Sequence, residues 1–556
     1  MKHAFVLWVG MLLCIRVVAA EPVVIAAGHF GVDTDKKMIV VNQDVAVINA
    51  AQTQAISAFS IDSRSYTLSQ PVSAVQTGVP YSVSNEGNSY TLYFTQLPLV
   101  LLSVSGNIVS DPKIPGTIVI SESKNRPILS ENIGIELRGS TAQNYPKKSY
   151  RFEFKDLVAQ VNKDIAVLGM HADDDWNLQA LYIEPLRLRN KTGFDIWRKI
   201  NTIYYQDYEP EVASGPQMEY AELFLNGAYK GIYCVGEPVS RKLLKLKKYN
   251  AIDGIRGELY KAINWGGDEQ KGNVLFNDLP AYSNGTTTWG GFEYKYPDEI
   301  ASNWKNLYDF VDFVMNTSDA EFQAAFSTKF YLDNAVDYYI FLNLLHAWDN
   351  RGKNVYMAKY KAREPYFYVP WDLDGIFGIH WDGSEENNVD ELLTNGMFNR
   401  LMKNDPDGIN SFKQKLKYKW NLLRNDWVTH AGLMELFQTN YDYLNSNAAY
   451  ARETLAGDYT HNESRMTYLS NWIEHRLGYL DAQFNADIDP DDPSALPIVH
   501  EEVRVTAYNL NGIVVKTTAL QAGQLSSSFT NDLLAGIYIL HIQHADFCEV
   551  RKVVVQ

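Results

Sequence analysis

The stretch from Trp348 to Gly378, WDNRGKNVYMAKYKAREPYFYVPWDLDGIFG, sets two polar turns against two short apolar runs. Asp349 and Asn354 stand five residues apart, directly after a helical pattern over Asp333 to Trp348. A carboxylate can take the proton of an attacking hydroxyl, and an amide oxygen at that spacing can help hold a hard divalent cation. The second apolar run leads into Asp372 and Asp374, before Gly375. Carboxylates just past the end of a buried strand make a cation grip, and the glycine frees the backbone to turn. A calcium-binding EF-hand is excluded, because position twelve from Asp372 is Gly383 and not Glu. Asp372 follows Asp349 by 23 residues, room for one hairpin between them.

Outward from there, strand patterns at Gly134 to Arg138, Ser149 to Phe154, Tyr220 to Leu225 and Gly231 to Val235 give way to helical periodicity. The helical stretches are Leu186 to Ile200, Trp304 to Met315, Asp333 to Trp348, Ser411 to Leu423 and Tyr468 to Phe484. Strands followed by helices within residues 116–485 predict an α+β domain, of two lobes. Its stretch Ile135 to Phe154, IELRGSTAQNYPKKSYRFEF, places Arg138, Gly139 and small hydroxyls between two strands, with Lys147 and Lys148 leading into the second. Such a turn can offer backbone N–H groups and a lysine charge to a phosphate.

Fifty basic against 66 acidic residues leave a net charge of −16, which excludes a general nucleic-acid binder. Residues 1–20 read as a secretory signal: Lys2 and His3, an apolar run from Ala4 to Ile15, then small residues before Glu21. Cys234 and Cys548 then remain as a distant pair of cysteines, so burial and not a disulfide framework must hold this exported chain together. No later stretch has transmembrane length. Residues 21–115 alternate apolar and polar positions in short runs and predict an N-terminal β domain. The acidic, proline-containing segment 486–497 predicts a linker, and 498–556 a small β-sandwich.

This tail resembles the C-terminal sorting domain of the type IX secretion system, through VRVTAYNLNG (Val503 to Gly512), LAGIYILHI (Leu534 to Ile542) and the final RKVVVQ. That resemblance implies the type IX machinery as a partner and a secreted or cell-surface location. The central region resembles the spore-coat protein H (CotH) kinase family, whose motifs occur here in order as LRGSTAQNYPKKSYRFEF, LRLRNKTGFDIW, LFLNGAYKGIYCVGEPV, GELYK, DNRGKNVY and PWDLDGIFG. It implies an atypical protein-kinase-like fold and a phosphotransferase that uses ATP and Mg²⁺ on Ser or Thr of exported proteins. By position it implies Asp349 as the catalytic aspartate, and Asn354 and Asp372 as metal ligands with Asp374 as a second carboxylate. Lys148 becomes the phosphate lysine with Lys147 its competitor, and Arg138, Glu237 and Lys353 join the nucleotide site. Glu184 is the acid near the Leu186 to Ile200 helix that could pair with the lysine, and Lys261 is a further charged contact. The glycine-rich loop and the DFG motif of ordinary kinases are missing, so a binding module on a kinase-like scaffold is the alternative expectation, and transfer of the adenylyl group a third.

His346 reads as a core or helix-end histidine, and the aromatic runs around Trp304 and Tyr338 as helix packing. The acids Asp173, Asp174 and Asp175 read as a solvated turn, with calcium binding as the alternative.

Overall fold

A computed structural model describes residues 21–484 and 503–555, apart from 125, 157, 160, 264–274, 404, 406–410, 458, 510–512, 521–532, 535 and 544–547. The signal at 1–20 and the linker at 486–497 lie outside the described residues.

The short alternating runs after residue 21 form a seven-stranded sheet in the order Val23–Val24, Ile56–Ile61, Arg64–Val72, Pro80–Asn85, Asn88–Phe94, Met38–Val41, Phe30–Asp33. Met38–Val41 is buried on both faces, and the reason lies in its neighbours. Ile39 and Val41 fill the sheet's own core with Phe59 and Phe94, whereas Met38 and Val40 pack on Leu99, Phe224 and Tyr229 of the next sheet. The change of sheet comes between Phe94 and Leu99, so the boundary expected at 115 falls within the strand Ile114–Ser121 of the second sheet.

That second sheet closes on itself. Leu129–Leu137, Ile114–Ser121, Leu99–Val104, Met218–Leu225, Ala228–Gly236, Asp175–Gln179 and Tyr150–Asp156 are paired in this order, and Leu129–Leu137 pairs again with Tyr150–Asp156, giving a seven-stranded barrel. Strand alternation sorts the side chains. Val100, Leu102, Ile118, Ile135, Phe152, Trp176, Leu223 and Val235 share the barrel's interior, while Tyr220, Ile232 and Cys234 of the same strands face the helices outside.

The remaining strands make a five-stranded sheet: Thr288–Trp289, Phe292–Tyr296, Glu258–Ala262, Val355–Lys359, Tyr366–Pro370. The helices expected from periodicity are present at Arg189–Ile200, Lys305–Asn316, Leu332–Leu344, Phe412–Arg424 and Ser464–Gln483. Leu332–Leu344 is buried all round from Asn334 onward, as its apolar composition on every face requires. It is tied to the sheet by Asn334, which accepts from the Tyr368 N–H at 2.7 Å and donates to its carbonyl at 3.1 Å. These two bonds contribute about 0.5–1.5 kcal/mol each. The chain is thus mixed α+β, and its tail forms a four-stranded antiparallel sheet from Val503–Asn509, Val514–Leu520, Gly536–Gln543 and Cys548–Val555.

Candidate functional site

The hairpin anticipated between Asp349 and Asp372 is formed by Val355–Lys359 and Tyr366–Pro370, in a register that puts Val355 opposite Pro370. The residues just outside that pair, Asn354 and Trp371, are joined by a Trp371 N–H to Asn354 carbonyl bond of 2.9 Å. The two turns predicted to carry chemistry are therefore brought side by side. Asn350 fastens them: its Nδ2 donates to the carbonyls of Asn354 (2.8 Å) and Trp371 (2.9 Å), and its own carbonyl accepts from the buried Tyr338 hydroxyl at 2.8 Å. Asn354 and Asp372 both have left-handed backbones, at φ 55° and 57°. Asn and Asp tolerate that region best among residues with a Cβ. Asp349 lies in the single turn Trp348–Arg351, whose carbonyl at Asp349 accepts from the Lys353 N–H at 2.9 Å.

Around this hairpin end the charges interact. Burial raises the pKa of Asp349 and the Asp372 carboxylate adds to it, while Lys353, with Nζ 3.8 Å away, works the other way. Asp374 is pushed further up, by burial first and then by Asp372 and Asp349. Facing them are Arg138, 5.4 Å above the Trp371 ring, and Lys261 on the Glu258–Ala262 strand. Burial lowers the pKa of both cations, and Asp372 is the leading carboxylate that offsets it in each. Arg138 comes from the connection that follows the Leu129–Leu137 barrel strand, so the site lies where barrel and five-stranded sheet meet. Gly375 lets the turn after Asp374 pass close to the backbone of His380 and Trp381, since a Cβ there would come 3.1 Å from the Trp381 nitrogen.

The donor set suits a hard cation. Among the described residues, no other residue hydrogen-bonds the side chain of Asp372 or Asp374, and like charge accumulates on them with Asp349. A divalent ion relieves such repulsion, and two carboxylates with an amide oxygen match the ligands Mg²⁺ prefers. The tight three-carboxylate groups among the described residues, within 4.8 Å, lie elsewhere: Glu153, Asp174 and Asp175, and Asp164, Asp173 and Asp174. Both carry basic counter-charges, Arg151 and Lys113 on the first and Lys242 on the second. The solvated turn expected there needs correcting, because Asp173 is buried and held by Lys242 and Ser240.

The other anticipated residues are engaged as follows. Lys148 donates to the Gln143 carbonyl at 2.7 Å within its own connection. Lys147 turns inward, to the Ile232 carbonyl (2.5 Å) and to Glu453 (2.6 Å), above the Tyr233 ring. Burial brings its pKa down to about 8 against the pull of Glu453. The acid partner of this lysine is thus Glu453 of the helix Ala449–Ala456, not Glu184. Glu184 instead pairs with Arg189 at 2.6 Å and accepts the Leu186 N–H at 2.9 Å. Glu453 also accepts from Arg187 Nε (3.1 Å) and the Ile232 N–H (2.6 Å). It occupies space that Gly231 leaves open, for a Cβ there would stand 1.9 Å from its Oε2. The Glu237 carboxylate is bound to His171 Nδ1 (2.6 Å) and the Gln217 N–H (2.8 Å). His346 is buried as expected, and burial pulls its pKa down to about 3. Asn350 and Glu453 were not anticipated. Asn350 carries no signal beyond its place between Asp349 and Asn354, and Glu453 none, being 306 residues from Lys147.

Fold and site together define an α+β domain with an acidic, cation-suited hairpin end where a barrel and a sheet meet. The chain belongs to the CotH kinase protein family, which it matches over residues 135–480. Residues 487–556 match the secretion system C-terminal sorting domain, which marks the chain for type IX export to the cell surface. Among the described residues no helix is long and apolar enough to cross a membrane. The curated proteins contain no match.

Proposed function

We propose that this protein is an exported kinase that transfers the γ-phosphoryl group of ATP to a serine or threonine hydroxyl of another secreted or surface protein. The observation that carries the reading is the gathering of Asp349, Asn354, Asp372 and Asp374 at one hairpin end opposite Arg138 and Lys261. Asp372, Asp374 and Asn354 would hold Mg²⁺, which when bound neutralises phosphate charge. Asp349 accepts the hydroxyl proton as the new O–P bond forms, the bond to ADP breaks and ADP leaves. Its raised pKa makes it a better base than an exposed carboxylate. Arg138 and Lys261 bring fixed positive charge to the oxygens of the transferring group, in a setting where no reorganisation is needed. In this reading Lys353, beside Asp349, would reach the γ-phosphate, and Lys148 or Lys147 would leave its present carbonyl partner for the other phosphates, with Glu453 steadying Lys147 as a carboxylate steadies the phosphate lysine in kinases. Glu237 enters only through the backbone at the end of the Ala228–Gly236 strand, since its side chain is occupied. Two kinase-like lobes would then correspond to the barrel and the helical part with its five-stranded sheet.

The test is incubation of the purified protein with γ-labelled ATP, Mg²⁺ and an acceptor protein, beside Asp349→Asn and Asp372→Asn. Label on the acceptor that disappears in both variants, at unchanged circular dichroism, supports the assignment. Label from α-labelled ATP points to adenylyl transfer. No label, with no ATP-dependent rise in melting temperature, makes the chain a binding module.

A further inference from the structure

At the other end of the same hairpin, around the turn that joins Lys359 to Tyr366, a cleft of about 200 Å³ opens against the helices Lys305–Asn316 and Asp319–Lys329. Five-residue strands at about 3.3 Å per residue put it roughly 15 Å from the Asp372 end, so it is a separate site. Its charged side chains can be accounted for one at a time. Lys359 is 3.3 Å from the buried Glu258 and packs 3.9 Å from the centre of the Tyr366 ring. Asp309 is bound by Lys305, one turn earlier on its helix. Glu364 accepts from the Tyr204 hydroxyl at 2.8 Å and pairs with Lys361 at 3.0 Å. Lys329 and Arg363 remain, both exposed, and neither has an ion pair or hydrogen bond among the described residues.

Two positive charges therefore stand uncompensated at one small cleft of a chain whose net charge is −16. The volume is below the roughly 300–1,000 Å³ of pockets that take drug-sized ligands, so a nucleotide does not suit it and a single small anionic group does. An arginine fork beside a lysine point charge matches a dianion with several acceptor oxygens. Arg363 lies in the turn itself, with a left-handed backbone at φ 71°, and lines the cleft. We propose that this cleft binds a dianionic phosphate group, either on a phosphorylated side chain of a partner protein or as free phosphate.

The test is calorimetric titration of the full chain, without nucleotide or Mg²⁺, using a phosphoserine peptide, its unphosphorylated form and orthophosphate, beside the double variant Lys329→Ala/Arg363→Ala. Both substituted side chains are exposed, so melting should not change. The expected result is binding of a phosphate-bearing probe that weakens about tenfold or more in the variant, as loss of charge-assisted contacts implies. Loss confined to the phosphopeptide assigns the group to a partner protein, and loss for orthophosphate assigns it to free phosphate. Absence of binding, or affinity that the variant leaves unchanged, overturns the proposal.

Discussion

Replacing Glu453 with glutamine removes one negative charge from a position that is 1% exposed and leaves Lys147 and Arg187 without their shared counter-ion. In the intact protein burial works against the Glu453 charge, yet Lys147 and Arg187 hold its carboxyl below the usual range. Breaking a buried pair by removing one partner costs about 3–5 kcal/mol. At about 2.1 cal/mol/K of unfolding entropy per residue, over the domain matched at 135–480, that is a fall of roughly 4–7 °C in melting temperature. Scanning calorimetry of wild type and variant measures it directly. The Gly231 socket provides the control. Gly231→Ala should be destabilising twice over, through its backbone at φ 89° and through collision with Glu453. In a Glu453→Ala background the collision disappears and about 1–2 kcal/mol of backbone cost remains. Equal costs of Gly231→Ala in the two backgrounds, or a Glu453→Gln shift below about 1 °C, would refute the reasoning.

Asn350→Ala should cost about 1–3 kcal/mol in urea unfolding, because two buried carbonyls lose their donor, and should weaken Mg²⁺·ATP binding with every carboxylate still present. His171 is raised to about 9, since Asp173 and Glu237 outweigh the effect of burial. Its folded value exceeds its unfolded value of about 6.5, so its contribution is full below that pH and lost as pH rises through about 9. The melting gap between wild type and His171→Gln should accordingly shrink from pH 6 to pH 10, and a constant gap contradicts it. Arg452 and Glu222 form a fully buried two-point pair at 2.7 and 2.6 Å. Arg452→Leu alone should cost about 3–5 kcal/mol, and Arg452→Leu with Glu222→Leu distinctly less, as measured by denaturant titration.

What could be read in advance was local. Asp349, Asn354 and Asp372 lie within one helix-to-hairpin segment, so spacing alone brings them together. Alternation and helical period likewise located the strands and the five helices, because burial on one face imposes those periods. The acid that meets Lys147 depends on how the Ala449–Ala456 helix docks on the Ala228–Gly236 strand, and no period encodes that. The change of sheet after Phe94 is hidden for a similar reason: Leu99–Val104 alternates like its predecessors, but one of its two partners is the distant Met218–Leu225. Asp173 looked like a turn residue because Lys242, its counter-ion, is 69 residues away.

The closing pair of the barrel, Leu129–Leu137 with Tyr150–Asp156, is also the base from which the Arg138-to-Lys148 connection springs. Both feet of that connection stand on the seam of a continuous ring of hydrogen bonds, with no free strand end on which to swing. Moving Arg138 away from Asp372 as a flap would mean unzipping the ring itself.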